Sequence, residues 1–176
     1  AAEPAAFAAL AWMACGVPDH AAPPLSWLLK QQQPSGTVGV TDSQDSPVWA
    51  TSLAILAWQK AIDLQHEEKW KTASEKGCTA LLKIRGGTIP RGDTFAHDTM
   101  LVGWPWVDGT HSWLEPSAFA VLAFKAAGKS TNPRVREAVQ LIRDRLLPDG
   151  GANYGNTFVL GQRLLAHVQP SGIALC

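Results

Sequence analysis

One stretch of this chain is written twice, and a chain that repeats itself at an interval of tens of residues is bound to an architecture of stacked, similar units. Glu3-Pro4-Ala5-Ala6-Phe7-Ala8-Ala9-Leu10-Ala11 returns as Glu115-Pro116-Ser117-Ala118-Phe119-Ala120-Val121-Leu122-Ala123. Extended to Gly16 and Gly128, the two stretches agree at nine of fourteen positions, at an offset of 112. A third copy, Gln169-Pro170-Ser171-Gly172-Ile173-Ala174, follows the second at an offset of 54. A weaker one is Trp49-Ala50-Thr51-Ser52-Leu53-Ala54-Ile55-Leu56-Ala57. The copies begin near 3, 49, 115 and 169, an irregular period of about 55 residues, with the Glu3 and Glu115 copies two units apart.

Each unit reads as two helices. Pro116 sits at a first helical position, where its missing N–H costs nothing, and the carboxylate of Glu115 suits a helix N-terminus. Phe119, Leu122, Ala123 and Ala126 follow i, i+3, i+4, i+7 spacing, and Gly128 is a natural stop. Asn132-Pro133 caps a second helix with the apolar face Val135, Ala138, Val139, Ile142 and Leu146. That helix ends at the turn Pro148-Asp149-Gly150-Gly151. The first unit follows the same plan, with a second helix near Pro24–Gln33 that ends at Pro34-Ser35-Gly36. The second has helices near 47–64 and 67–85. Thr88–Gly109 is the longest stretch without helical periodicity, and no segment alternates well enough to be a core strand. The expected fold is therefore all-α, made of repeated helical hairpins with units 1–46, 47–112, 113–166 and a truncated 167–176. One hairpin cannot bury both apolar faces, but stacked hairpins can. Period alone leaves open whether they form an open solenoid or close into a ring.

Composition narrows the class. With 46% apolar and 17% charged residues the chain is a packed globular protein rather than a disordered one. Fifteen basic residues balance fifteen acidic ones, which gives no electrostatic reason to expect nucleic acid as a partner. No apolar run reaches the roughly 18–20 residues of a membrane span. The alanine-rich start, Ala1–Ala14, is broken by Glu3-Pro4 and lacks the basic residues of a signal peptide. Cys15, Cys78 and Cys176 are odd in number and lack C-x-x-C spacing, so they read as small core residues rather than a disulfide framework. This points to the cytoplasm rather than to secretion, without fixing the compartment or the oligomeric state. The non-Met start and the apolar ending Ile173-Ala174-Leu175-Cys176 read as cuts in a longer protein.

Two further stretches carry a resemblance. Gly103-Trp104-Pro105-Trp106-Val107-Asp108-Gly109-Thr110-His111-Ser112-Trp113-Leu114-Glu115-Pro116 leads into an Ala/Leu-rich helix and then Leu146-Leu147-Pro148-Asp149-Gly150-Gly151-Ala152-Asn153-Tyr154-Gly155. Leu28-Leu29-Lys30-Gln31-Gln32-Gln33-Pro34-Ser35-Gly36 is similar to the glutamine–tryptophan repeat of squalene cyclases. Over nearly its whole length the chain resembles the bacterial helical-repeat superfamily of squalene/terpene cyclases and protein prenyltransferase β-subunits. The resemblance implies an α/α toroid, of which residues 1–176 would be a partial ring, and an isoprenoid or other apolar small molecule as ligand. The sequence departs from the family pattern in places. Gln32 fits the repeat glutamine, but Leu146 stands there in the third unit; Tyr154 fits the aromatic after the turn, but Val40 stands there in the first. The D-x-D-D acid motif of the cyclases, the D-x-C zinc ligands of the prenyltransferases and the G-C-G-E-Q thioester motif are all absent. Lys76-Gly77-Cys78-Thr79 does not replace the last.

Cyclase chemistry needs an acid at one end of an apolar cavity and aromatic faces to stabilise carbocations along it. Trp104, Trp106 and Trp113 precede an inner-type helix and are candidates to line such a cavity; the plainer reading is that they pin the long loop to the core. Trp12, Trp27, Trp49, Trp58 and Trp70 read as helix packing. Asp108, His111 and Glu115 form a local acid/base cluster in which a Glu raised in pKa by an apolar pocket would act as general acid; the alternative is helix capping and a loop hydrogen bond. His97-Asp98 could orient an imidazole for base or metal work, or be plain surface. Cys15, Asp19 and His20 fit no standard zinc spacing. Asp42, Asp45 and Ser46 read as solvated turn residues. No metal or cofactor is expected. Three functions stay open: an isoprenoid-active, cyclase-like enzyme whose acid lies elsewhere in a longer protein; a non-catalytic repeat module binding a lipid or protein through its inner face; and a carbohydrate-active α/α toroid with paired carboxylates.

Overall fold

The computed structural model of the chain describes residues 1–41, 43–44, 49–92 and 95–176, so that Asp42, Asp45 and Ser46 lie outside the described residues. The fold is all-α. Helices α1 (Ala2–Ala14) and α2 (Ala22–Lys30) are bridged by a 3-10 turn over Pro18–Ala21, and α3 (Trp49–Gln65) is followed by α4 (Glu68–Lys83). Then come α5 (Leu114–Ala126), α6 (Pro133–Asp144) and the short α7 (Val168–Ala174). Among the described residues the paired strands amount to one exposed two-residue hairpin, Phe158–Val159 with Gln162–Arg163. No described helix is long and apolar enough to cross a membrane.

Helices α1, α3, α5 and α7 lie side by side in that order, while α2, α4 and α6 pack on α1, α3 and α5. The sequence explains which helices occupy the middle. Helices α3 and α5 are apolar around most of their circumference, as a helix covered on several sides must be. In α5 every side chain from Leu114 to Ala120 is buried, and in α3 every side chain from Ala50 to Ile55. Helix α6 is one-faced and buries Val135, Ala138, Leu141 and Ile142. Two expected members of that face are corrected. Val139 is 39% exposed, about a quarter-turn away from the centre of the face at 3.6 residues per turn. Leu146 lies beyond the helix and is only partly buried.

The helix boundaries follow from caps. Asn132 accepts a hydrogen bond from the Arg134 N–H at 2.9 Å, with Pro133 at the first helical position. Pro116 stands two residues inside α5, which begins at Leu114, but still within the first turn, where N–H groups have no helical partner. Gly16 and Gly128 end α1 and α5 in the same left-handed conformation, with φ +76° and +69°. In each case the next residue bonds back over the last turn: Val17 N–H to Trp12 O, and Lys129 N–H to Phe124 O.

The repeated positions also repeat a contact. The hydroxyls of Thr51, Ser117 and Ser171, equivalent residues of three copies, accept the backbone N–H of Val38, Trp104 and Ala152 at 2.8, 2.9 and 2.8 Å. Each bond clips the incoming loop to the first turn of α3, α5 or α7. Ala5 holds this place in α1. The N–H groups of Ala2 and Leu114 likewise donate to the carbonyls of Val40 and Tyr154, the two positions matched as the site of the repeat aromatic.

Two arginines hold the long loop between α4 and α5. Arg134 donates to the carbonyls of Ile84, Val102 and Gly103 and lies 4.6 Å over the Trp104 ring. Arg145, just past α6, donates to the carbonyls of Asp98 and Gly155. The expectation that all three cysteines are core residues is corrected: Cys78 is buried, but Cys15 and Cys176 are exposed. Of the tryptophans read as packing, Trp58 and Trp70 are fully buried, Trp27 and Trp49 half-buried, and Trp12 is 45% exposed.

Candidate functional site

The long loop folds over the N-terminal end of α5 and encloses a cavity of about 250 Å³. Its course is fixed by backbone pairing. The N–H of Gly86 donates to Gly103 O, that of Gly87 to Thr110 O and that of Ile89 to Thr99 O, and the Thr99 hydroxyl returns a bond to Ile89 O. The apolar part of the lining is Ile89, Phe95, Leu101 and Trp113, and the polar part is His97, Thr99, His111, Ser112, Arg145 and Asn156. Trp113 and Asn156 also line a second cleft of about 530 Å³, with Tyr154, Leu164, Leu165, Arg163 and His167. Trp113 is the residue before α5 and His167 the residue before α7, so the two spaces adjoin across the starts of these helices.

Among the described residues no carboxylate lines either cavity. The imidazole of His97 is half-buried, with its Nδ1 lacking a hydrogen-bond partner among the described residues and its ring 5.7 Å from Phe95. Burial above all, and next the Arg145 charge, push its pKa below the ordinary histidine value, while Asp144 and Asp98 pull weakly the other way. Asp98 does not orient it: its carboxylate pairs with Arg91 and accepts the Met100 N–H, and the Arg91 pairing holds its pKa below the usual carboxylate value. Arg145 is 5% exposed and uses Nε on Asp144 at 3.1 Å. A guanidinium carries five N–H groups. With Asp144, Gly155 and Asp98 taking one each, one N–H on each terminal nitrogen is left without a partner among the described residues.

The residues expected from sequence to carry chemistry are spread out. Asp108 is exposed and accepts the N–H of Gly109, as a turn residue does. His111 is exposed on one side, stacks at 4.7 Å on Trp113 and lines the smaller cavity. Glu115 is 3% exposed, and its carboxylate accepts the side-chain N–H of Gln169 at 2.5 Å. Among the described residues no hydrogen bond joins Asp108, His111 and Glu115 to one another. Trp104 is fully buried, with Nε1 donating to Leu81 O at 2.8 Å and its ring against Phe124. Trp106 is half-buried and meets Trp49 edge-on at 5.6 Å. Trp113 is the one of the three tryptophans that lines both cavities.

Toward the other end of the chain, Cys15 is exposed and His20 stacks on Trp12 at 5.0 Å. Among the described residues no three His, Cys, Asp or Glu side chains converge as a metal site would require. Sequence reading had no means of finding Arg145, Asn156, Phe95 or Ile89 as lining residues, because they come from separate segments joined only by the loop's hydrogen bonds. The sequence matches no protein-family model, and a search of curated proteins returns no match.

Proposed function

We propose that the chain is an arc of an α/α toroid akin to squalene/terpene cyclases and prenyltransferase β-subunits, and that it binds an isoprenoid or other apolar small molecule. What supports the toroid reading is the packing of α1, α3, α5 and α7 in one row with α2, α4 and α6 against them, and the same loop-to-helix clip at Thr51, Ser117 and Ser171. The observation that carries the binding reading is the pair of adjoining cavities that meet at Trp113, lined by Ile89, Phe95, Leu101, Leu164 and Leu165. Ligand sites are concave and mostly apolar, with a few convergent polar groups, and these cavities match that description. With no described carboxylate in the lining, binding is favoured over proton-initiated cyclisation and over a paired-carboxylate glycosidase.

The enzyme reading keeps one specific support: the aromatic faces of Phe95, Trp113 and Tyr154 line the cavities, and such faces stabilise carbocations. In that case the acid would come from another part of a longer protein.

Calorimetric titration with geraniol and farnesol tests the binding reading. Micromolar dissociation constants are expected, about −8 kcal/mol, with Trp113→Ala weakening both alcohols at least tenfold. If the folded chain, verified by circular dichroism, takes up neither alcohol, the reading fails.

A further inference from the structure

The smaller cavity differs from a purely apolar slot in the sign of its polar groups. The described titratable side chains in its lining are Arg145, His97 and His111, with no carboxylate among them. Opposite them stand Ile89, Phe95, Leu101 and Trp113. The described carboxylates near these groups are engaged elsewhere. Asp98 is held by Arg91 and the Met100 N–H, and Asp144 by Arg145 Nε and the Asp98 N–H. Two of the Arg145 N–H groups and Nδ1 of His97 have no partner among the described residues. Leaving buried N–H groups such as those of Arg145 unpartnered costs free energy that a matching acceptor recovers, and His97 can donate alongside from whichever ring nitrogen carries its proton. A carboxylate matches a guanidinium edge better than any neutral group, since it accepts two parallel N–H bonds. Because Asp144 already offsets much of the Arg145 charge, a single negative charge suits the site better than a dianion.

Resting on the binding reading above, we infer that this cavity takes the carboxylate head of a small apolar acid. Arg145 and His97 hold the head, and the body lies against Phe95, Leu101 and Trp113. The cavity volume of about 250 Å³ corresponds to roughly eight waters at about 30 Å³ each, room for a carboxylate and one or two isoprene-sized units. Longer bodies would continue past Trp113 into the adjoining cleft.

Geranic acid and geraniol share one carbon skeleton and differ only in the head, so the pair isolates the proposal from the reading it rests on. The inference requires the full chain to bind geranate at least tenfold more tightly than geraniol at pH 7. It also requires His97→Gln to remove most of that preference, weakening geranate several-fold more than geraniol. Arg145 also anchors the backbone at Asp98 and Gly155, so its substitution risks the fold; His97 carries no such bond and is the cleaner variant. Equal affinities for the two ligands would overturn the carboxylate assignment and leave the binding reading standing. A geranate preference untouched by His97→Gln would overturn the placement in this cavity. Binding of neither ligand would sink the binding reading and this inference together.

Discussion

The hydroxyl of Ser117 is fully buried and makes three contacts: it accepts the Trp104 N–H at 2.9 Å and lies 2.6 Å from Trp113 O and 3.3 Å from Trp104 O. Replacing it with alanine strands the Trp104 N–H away from water, and an unsatisfied buried donor costs about 1–3 kcal/mol. Ser117→Ala is expected to lower the unfolding free energy by that amount, read from the shift of the urea midpoint at unchanged slope. Gly103 tests the same clip from the loop side. A Cβ there would fall 2.2 Å from Ser117 Oγ and 3.0 Å from Ser117 Cβ, so the loop would have to leave the helix. Gly103→Ala should therefore cost more than Ser117→Ala. If both substitutions left the unfolding free energy within about 0.5 kcal/mol of the parent, as ordinary surface changes do, the clip would not be holding the loop.

At the level of elements, α7 is attached to α5 through a contact that the repeat itself brings together. Glu115 and Gln169 are equivalent residues of successive copies, and Gln169 Nε2 donates to Glu115 Oε1. Helix α7 has seven residues and buries only Pro170 fully, so this bond and the Ser171 clip carry much of its attachment. Glu115→Gln keeps an acceptor and should cost at most about 1 kcal/mol, whereas Glu115→Ala should cost about 1–3 kcal/mol. The Ala variant should also speed proteolysis after Leu164 and Leu165, which flank α7 and are exposed. Equal behaviour of the Gln and Ala variants would show that the bond is idle. The repeat made these elements readable in advance: Gly16 and Gly128 stop their helices, Asn132 caps, and Pro133 opens α6. The face of α6 was misjudged at Val139 because several apolar residues fit a helical period, and only packing against α5 selects Leu141. The candidate site was less legible. His111 and Trp113 stood out from their neighbours, but His97 gains meaning only from Arg145, which lies far along the chain and looks like any surface arginine at a helix end. The hydroxyl position of the copies was visible as Thr51, Ser117 and Ser171, yet nothing in the sequence says that a backbone N–H waits opposite each.

Helices α1, α3, α5 and α7 pack chiefly on their neighbours in that row, and α1, α3 and α5 also on α2, α4 and α6. In such arrangements stability is approximately the sum of unit terms and nearest-neighbour interfaces, so opening proceeds from the ends. The two ends are also where apolar side chains meet water. Phe7 and Trp12 on α1 are 46% and 45% exposed, and Leu165, Val168 and Leu175 around α7 are 81%, 94% and 69% exposed. The middle holds the fully buried Trp58, Trp70, Trp104 and Phe124, each worth on the order of 2–3 kcal/mol of burial. Native-state hydrogen exchange should therefore be graded. Amides of α3 and α5 are expected to exchange only through global unfolding, with free energies that track the denaturant midpoint. Those of α7 should exchange through local opening that is several kcal/mol easier, and those of α1 should fall between, because the Ala2 N–H to Val40 O bond and the 3-10 turn tie its start and end. The loop over the smaller cavity provides the internal control. Its amides at Gly86, Gly87 and Gly103 are bonded inside the protein, so they should be protected like α5 rather than like an ordinary surface loop. Uniform protection from α1 to α7 would mean that the chain unfolds as one cooperative block, and the end-fraying picture would have to be abandoned.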